Sequence, residues 1–200
     1  MTPETFKHHK DQVLQGVDLS RKGCVDEPIK QLVEFINGLE DFVTTSSCSG
    51  RAILFCEGGS NKKGCRWLYT SHGAAEEGTL VASANPAHGS LVLKYEPLIL
   101  HVQCLSVERA KTMHTCALDS GFRNSGITIG KNGKVTLAVR SCIGLEAPLS
   151  EDGQLMVTEE YLKFLTRKVN EKVKENTIRS ERFFHNLKRV FNGTVCDILT

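Results

Sequence analysis

Apolar spacing together with cap and stop signals predicts four helices along the chain, and the first of them is a short, polar helix on the surface. The second helix has Asp26 as a candidate N-cap, and Asn37-Gly38 marks its end. Ser106 is the candidate cap of the third helix, which Gly121 stops by adopting a left-handed conformation. In the fourth helix, residues 174–182 are either a solvated middle or a break. The helices are expected at residues 4–15, 29–36, 106–119 and 158–190.

Runs of β-branched and aromatic residues between these helices predict short strands. Pro97 cannot donate to a strand ladder, so it is expected to separate two strands at a bend or an edge. After it, Leu98, Leu100 and Val102 share one face, with Ile99, His101 and Gln103 opposite. The strands are expected at residues 42–45, 52–55, 66–69, 90–95, 98–103, 126–129, 134–140 and 144–149.

The order of these elements predicts the fold class. Helices interrupt groups of strands without strict β-α-β alternation, and the Asn132-Gly133 pair predicts an antiparallel hairpin. An α+β fold follows, with a mixed, largely antiparallel sheet and flanking helices. The chain shows no internal repeat and no clear linker, so we expect one domain over residues 1–200, ending in the long helix.

Composition says more about the class and compartment of the protein than about its activity. The 200 residues are 40% hydrophobic and 24% charged, as in ordinary globular proteins. A net charge of +2 neither requires nor excludes a nucleic-acid partner. The amino terminus lacks the apolar core of a signal peptide and no long apolar run occurs, so a cytosolic protein is expected. Its eight cysteines are then expected to be mostly free, buried thiols.

Common cofactor and metal motifs do not match. Residues 121–126 and 59–64 have glycines at their ends, but neither segment follows the dinucleotide or P-loop pattern. His101, Cys104, His114 and Cys116 lie within sixteen positions, yet their spacing is not that of a metal site, and no metal is predicted. A buried thiol is also favoured over a nucleophile at Cys48.

Two polar segments remain as candidates for chemistry. Residues 44–51 combine hydroxyl side chains with a glycine and Arg51, and such a stretch could hold a carboxylate or a ribose. A plain serine-rich turn fits this segment equally well. Residues 119–126 display Arg123, Asn124 and Ser125 between two glycines, which also suits an ordinary helix-to-strand connection.

Read together with their neighbours, these segments resemble the tRNA wybutosine-synthesizing protein three family. The resemblance runs from about Asp18 to Phe184. It implies a methyltransferase that uses S-adenosylmethionine to methylate the N-4 nitrogen of the demethylwyosine-type intermediate at guanosine 37 of tRNA-Phe. It also implies a fold unlike the standard Rossmann methyltransferases. The matching segments are residues 18–23, 44–51, 94–97, 100–104, 119–127, 139–140 and 155–161.

The resemblance also assigns roles to residues. His72, His101 and Glu96 are candidates for orienting the acceptor nitrogen or removing its proton. Lys94 and Arg140 are expected to contact tRNA phosphates. The residues expected around S-adenosylmethionine are Ser47, Ser49 and Arg51, with Arg123, Asn124 and Ser125 as the facing wall.

The transfer itself is expected to be direct, so the protein mainly positions donor and acceptor. Its partners would be tRNA-Phe and other enzymes of the wybutosine pathway. A non-catalytic RNA-binding adaptor is the alternative, and it would bind no small cofactor. A hydrolase that depends on Cys48 or on a metal at His101 is a third class, without the ligand spacing that it needs.

Overall fold

The computed structural model describes residues 1–16, 23–56, 65–85 and 89–193. The glycine-rich segment 59–64, most of the motif at 18–23, and Cys196 lie outside these ranges. The helices are α1 Pro3–Gln15, α2 Lys30–Gly38, α3 Glu77–Ser83, α4 Val107–Asp119 and α5 Glu159–Gly193, with a 3-10 turn at Glu27–Ile29. The strands are β1 Phe42–Cys56, β2 Arg66–Ser71, β3 Leu91–Cys104, β4 Gly126–Ile129, β5 Val135–Arg140, β6 Leu145–Pro148, β7 Ser150–Glu151 and β8 Gln154–Leu155.

The main sheet has the strand order β2-β1-β3-β5-β4, and β6 also pairs with β3. The pairs β1–β2, β3–β5, β3–β6 and β4–β5 are antiparallel. Strands β7 and β8 form a separate two-stranded hairpin. This topology confirms the predicted α+β class and its largely antiparallel sheet.

Residues 44–51 are not the loop that their polar composition suggested. They lie inside β1, a single strand of 15 residues that joins the two short strands predicted at 42–45 and 52–55. Gly50, with φ 102°, adopts a conformation that L side chains rarely adopt and so lets this backbone continue. Pairing with neighbouring strands thus outweighs the weak strand preference of serine and glycine.

Pro97 does not separate two strands, because β3 continues through it. On one side of Pro97, residues 92–95 of β3 pair with β6, and on the other side residues 99–104 pair with β5. Pro97 lies between these two registers, where its missing N–H group costs no hydrogen bond to β5 or β6. The proline therefore marks a change of partner strand.

The helix predictions hold with one correction and one omission. Ser106 caps α4 by accepting from the Arg109 backbone N–H at 3.2 Å, and Gly121 has the expected positive φ of 97°. Helix α5 is unbroken over its 35 residues, so residues 174–182 are its middle and not a break. Asp26 precedes the 3-10 turn, but its side chain makes no capping bond. The seven-residue helix α3 had no periodic signal and was not predicted.

The residues form two compact units with separate cores. Unit 1 comprises Met1–Ser49, Leu98–Cys142 and Ile178–Thr200, and its core includes Leu98, Leu100 and Val102 on the predicted face of β3. Unit 2 comprises Gly50–Pro97 and Ile143–Thr177, with a core built on Leu54, Leu93 and Leu165. The expectation of one domain over residues 1–200 stays a prediction.

Two further expectations concern thiols and membranes. The described cysteines are free, but Cys24, Cys65 and Cys142 are exposed, so the expectation of mostly buried thiols is only partly met. Burial raises the pKa of the Cys104 thiol to about 12, so this thiol stays protonated. Within the described ranges, no helix is long and apolar enough to span a bilayer.

Candidate functional site

In unit 1, three polar side chains form a chain of hydrogen bonds on neighbouring strands. Ser46 Oγ lies 2.7 Å from Nδ1 of His101, and Nη2 of Arg140 lies 3.1 Å from Nε2 of the same ring. A guanidinium can only donate, so Nε2 accepts and the ring proton is on Nδ1. Nδ1–H then donates to Ser46 Oγ, whose own proton can be donated elsewhere.

His101 is held in its neutral form by its surroundings. Burial lowers its pKa below the ordinary value of 6.5, and the positive charge of Arg140 lowers it further. The lone pair of the neutral ring accepts the Arg140 hydrogen bond. His101 is therefore better placed to orient Ser46 than to remove a proton, and Ser46 is a candidate residue that sequence reasoning did not single out.

The hydroxyl side chains on β1 differ in whether they already make hydrogen bonds within the protein. The Ser49 hydroxyl and backbone N–H both donate to Asp26 Oδ2, at 3.2 and 2.9 Å, and both residues are buried. Ser47 is half-buried, and its hydroxyl makes no hydrogen bond to any described residue. Thr44 Oγ1 is buried and has no partner among the described residues. Ser47 and Thr44 thus offer unused hydroxyls, whereas Ser49 has a structural role.

The loop after α4 is tied to β5 through Ser125. Ser125 Oγ donates to the Phe122 carbonyl at 2.6 Å and accepts from the Arg140 backbone N–H at 3.0 Å. Arg123 and Asn124, the two residues before it, are exposed. Ser125 therefore shapes the loop, and Arg123 and Asn124 are the side chains that the loop presents to solvent.

Unit 2 holds a second group of predicted residues. Nε and Nη2 of Arg51 each lie 2.9 Å from Glu96 Oε2, and the guanidinium stacks 4.6 Å from the centroid of the Trp67 ring. Lys94 Nζ lies 3.7 Å from Glu96 and 3.1 Å from Glu146. These ion pairs keep Arg51 extended beside Trp67, and they already neutralise Lys94, the predicted phosphate contact.

His72, in the same unit, lies at the exit of β2. Its Nδ1 is 3.2 Å from the Gly50 carbonyl, which can only accept, so Nδ1 carries a proton. In the neutral ring the lone pair is then on Nε2. The segment that follows is held by Asn170, whose side-chain amide exchanges hydrogen bonds with the Ala75 backbone at 2.7 and 3.0 Å.

Solved structures define the class of this fold. The chain is similar to the PH1069 protein from Pyrococcus horikoshii, with a TM-score of 0.83 and 28% identity over 92% of this chain and 96% of that one. The shared fold is the α+β arrangement described above, and it differs from the standard Rossmann methyltransferases.

Sequence comparison then gives the family. The family model described as Methyltransferase TYW3 matches residues 8–189. The tRNA wybutosine-synthesizing protein 3 homolog of Bos taurus is 51% identical, over 92% of this chain and 72% of its own length. The tRNA wybutosine-synthesizing protein 3 of Schizosaccharomyces pombe is 35% identical, over 92% of this chain and 87% of its own. The chain belongs to the TYW3 methyltransferase family.

Membership of this family confirms the predicted enzyme class. The chain is an S-adenosylmethionine-dependent methyltransferase of wybutosine synthesis, and not a non-catalytic adaptor. The polar groups of S-adenosylmethionine are a carboxylate, an ammonium and ribose hydroxyls. The hydroxyls of Thr44 and Ser47, which have no hydrogen-bond partner among the described residues, are groups of the kind that these polar groups require.

Proposed function

We propose that this chain methylates the N-4 nitrogen of the demethylwyosine-type intermediate at guanosine 37 of tRNA-Phe, in the cytoplasm. The observation that carries the proposal is the similarity, over nine-tenths of the chain, to proteins named for wybutosine synthesis in tRNA. The hydrogen bonds that join Ser46, His101 and Arg140, and the ion pair between Arg51 and Glu96, support a protein that positions its ligands.

The residues of unit 1 take positioning roles in this proposal. Thr44 and Ser47 bind polar groups of S-adenosylmethionine, which supplies an activated methyl group on its sulfonium. Ser46 donates a hydrogen bond to a bound ligand, because His101 occupies its acceptor side. Arg123 and Asn124 stay proposed cofactor contacts, while Ser49 and Ser125 support the strand and the loop.

Unit 2 supplies a cation, a base and an aromatic surface. Arg51, held by Glu96, binds an anionic group, and its stacking on Trp67 restricts its orientation. His72, whose Nδ1–H donates to the Gly50 carbonyl, stays the proposed acceptor of the proton that leaves the methylated nitrogen. Glu96 acts by positioning Arg51.

Transfer of a labelled methyl group tests the reaction and the substrate together. The full chain is incubated with labelled S-adenosylmethionine and tRNA-Phe that carries the demethylated intermediate, with unmodified tRNA-Phe as the control. We expect label only in the hypomodified tRNA. Absence of transfer from a preparation that also fails to bind S-adenosylmethionine would contradict the proposal.

A further inference from the structure

One continuous segment of unit 1 is basic and contains no acidic residue. Between Asp119 and Glu146 the sequence has four cations, Arg123, Lys131, Lys134 and Arg140, and no aspartate or glutamate. The whole chain is nearly balanced, with 25 basic and 23 acidic residues, so a segment of this length without an acid is unusual in it. We call residues 123–140 the basic hairpin.

The fold places these four cations at the two ends of one hairpin. Strands β4 and β5 pair from Gly126–Ala138 to Ile129–Val135, and the turn closes where Gly130 N–H donates to the Lys134 carbonyl at 2.9 Å. Lys131 and Lys134 lie at this tip. Arg123 and Arg140 lie at the other end, where Ser125 joins the loop to β5. Along β5, the six residues of Val135–Arg140 separate the two ends by about 20 Å.

The cations of the basic hairpin are exposed and not neutralised. None of them forms an ion pair within the part of the chain that the structure describes, and Arg140 contacts only the neutral His101 through its guanidinium. Two cations of α5 differ, since Lys163 pairs with Glu159 at 2.7 Å and Lys168 with Glu171 at 2.8 Å. A polyanion would therefore gain more from the hairpin than from these two lysines.

The outer surface of the hairpin between the cations carries only small side chains. Val135, Leu137 and Val139 point into the core of unit 1. Their neighbours Thr136 and Ala138 face outward, opposite Thr128 and Gly126 of β4. The next strand places His101 beside Ala138, so this face continues to the hydrogen-bonded chain at Ser46. Small side chains would let a sugar-phosphate backbone approach the sheet closely.

We propose that the basic hairpin binds the phosphate backbone of the tRNA substrate. The proposal rests on the tRNA methyltransferase activity proposed above, and it adds the surface that holds the RNA. Four exposed cations in two groups at the ends of a hairpin, without an ion pair among the described residues, match an extended polyanion better than they match a single small anion. Lysines on an edge hairpin can also serve only to prevent strand-to-strand association, and the test separates the two roles.

The test compares two pairs of lysines in the full-length chain. One variant is Lys131→Ala/Lys134→Ala, at the tip of the hairpin, and the matched control is Lys163→Ala/Lys168→Ala, on α5. Binding of fluorescent, hypomodified tRNA-Phe is measured by anisotropy from about 50 to 200 mM KCl. Methyl transfer is measured at low and at saturating tRNA, and the oligomeric state of each variant by light scattering.

We expect the hairpin variant to bind tRNA roughly tenfold more weakly near physiological salt, with the slope of log K against log salt reduced by about 2. Its KM for tRNA should rise while kcat at saturating tRNA stays close to the unmutated value. The α5 control should keep its affinity and slope. Affinity and slope unchanged in the hairpin variant would overturn the proposal, and new self-association in that variant would identify edge protection instead. If the unmutated chain neither binds nor methylates tRNA, the proposed function itself fails.

Discussion

Arg140 decides which nitrogen of His101 carries the proton. The guanidinium occupies Nε2, and this single contact turns the ring into a donor toward Ser46. From the sequence, His101 is one of three candidates, with His72 and Glu96, for orienting the acceptor nitrogen or removing its proton. Its neighbours indicate a positioning role, which no property of the isolated residue would reveal.

Replacement of Arg140 by alanine should raise the pKa of His101, because one of the two causes that lower it is removed. Burial remains, so we expect the midpoint to move up toward the ordinary value of 6.5 and not above it. NMR titration of the ring protons measures the midpoint directly, and Arg140→Lys, which keeps the charge, is the control. Equal midpoints in the alanine variant and the unmutated chain would contradict the contact.

At the scale of elements, the end of α4 shows how the chain positions the loop at residues 121–126. Gly121 ends the helix with a φ of 97°, and the Phe122 N–H donates back to the Ala117 carbonyl at 2.9 Å. Nη1 of Arg179, on α5, donates to the Gly121 carbonyl at 2.8 Å. Helix α4 and the part of α5 that belongs to unit 1 thus hold the start of the loop that carries Arg123 and Asn124.

The variant Gly121→Ala should therefore destabilise the protein by about 1–2 kcal/mol. A methyl group there would meet the Arg179 side chain at 3.2 Å and would sit on a backbone with positive φ. Urea denaturation followed by circular dichroism gives the free energy of unfolding. Gly126→Ala, at an open position without positive φ, is the control and should lose much less.

For the whole molecule, binding of S-adenosylmethionine should stabilise the folded state. A ligand at about 100 times its Kd adds about 2.7 kcal/mol to the free energy of unfolding. Arg51 is proposed to bind the cofactor, so Arg51→Ala should lose most of the resulting rise in Tm while staying folded without ligand. Lys163→Ala, on α5, should keep the full rise.

Differential scanning fluorimetry with and without S-adenosylmethionine measures these shifts. Methylthioadenosine, which lacks the amino-acid part of the cofactor, is the second ligand. If Arg51 holds the carboxylate, the alanine variant and the unmutated chain should differ with S-adenosylmethionine but not with methylthioadenosine. An undiminished rise in Arg51→Ala would remove this residue from the cofactor site.

Features that depend on a few adjacent residues could be predicted from the sequence, and features that depend on distant strands could not. The cap at Ser106, the stop at Gly121 and the Asn132-Gly133 hairpin depend on a few adjacent residues, and all three were predictable. Residues 44–51 and Pro97 were misinterpreted because their structure depends on strands far away in sequence. Ser46, Asp26 and Trp67 were not singled out because their contacts are with residues far along the chain or on another strand. These contacts are Ser46 with His101, Asp26 with Ser49 and Trp67 with Arg51.

The sequence by itself determined the family, the enzyme class, the methyl donor and most elements, because motif order and hydrophobic periodicity are properties of the linear chain. Tertiary structure decided which predicted site residues remain available. In the folded chain Ser49 is bound to Asp26, Lys94 to two glutamates and His101 to Arg140, and the hairpin cations have no acidic partner among the described residues. Hydrogen bonds and ion pairs act over a few ångströms in space, and only the folded chain brings such distant residues within that range.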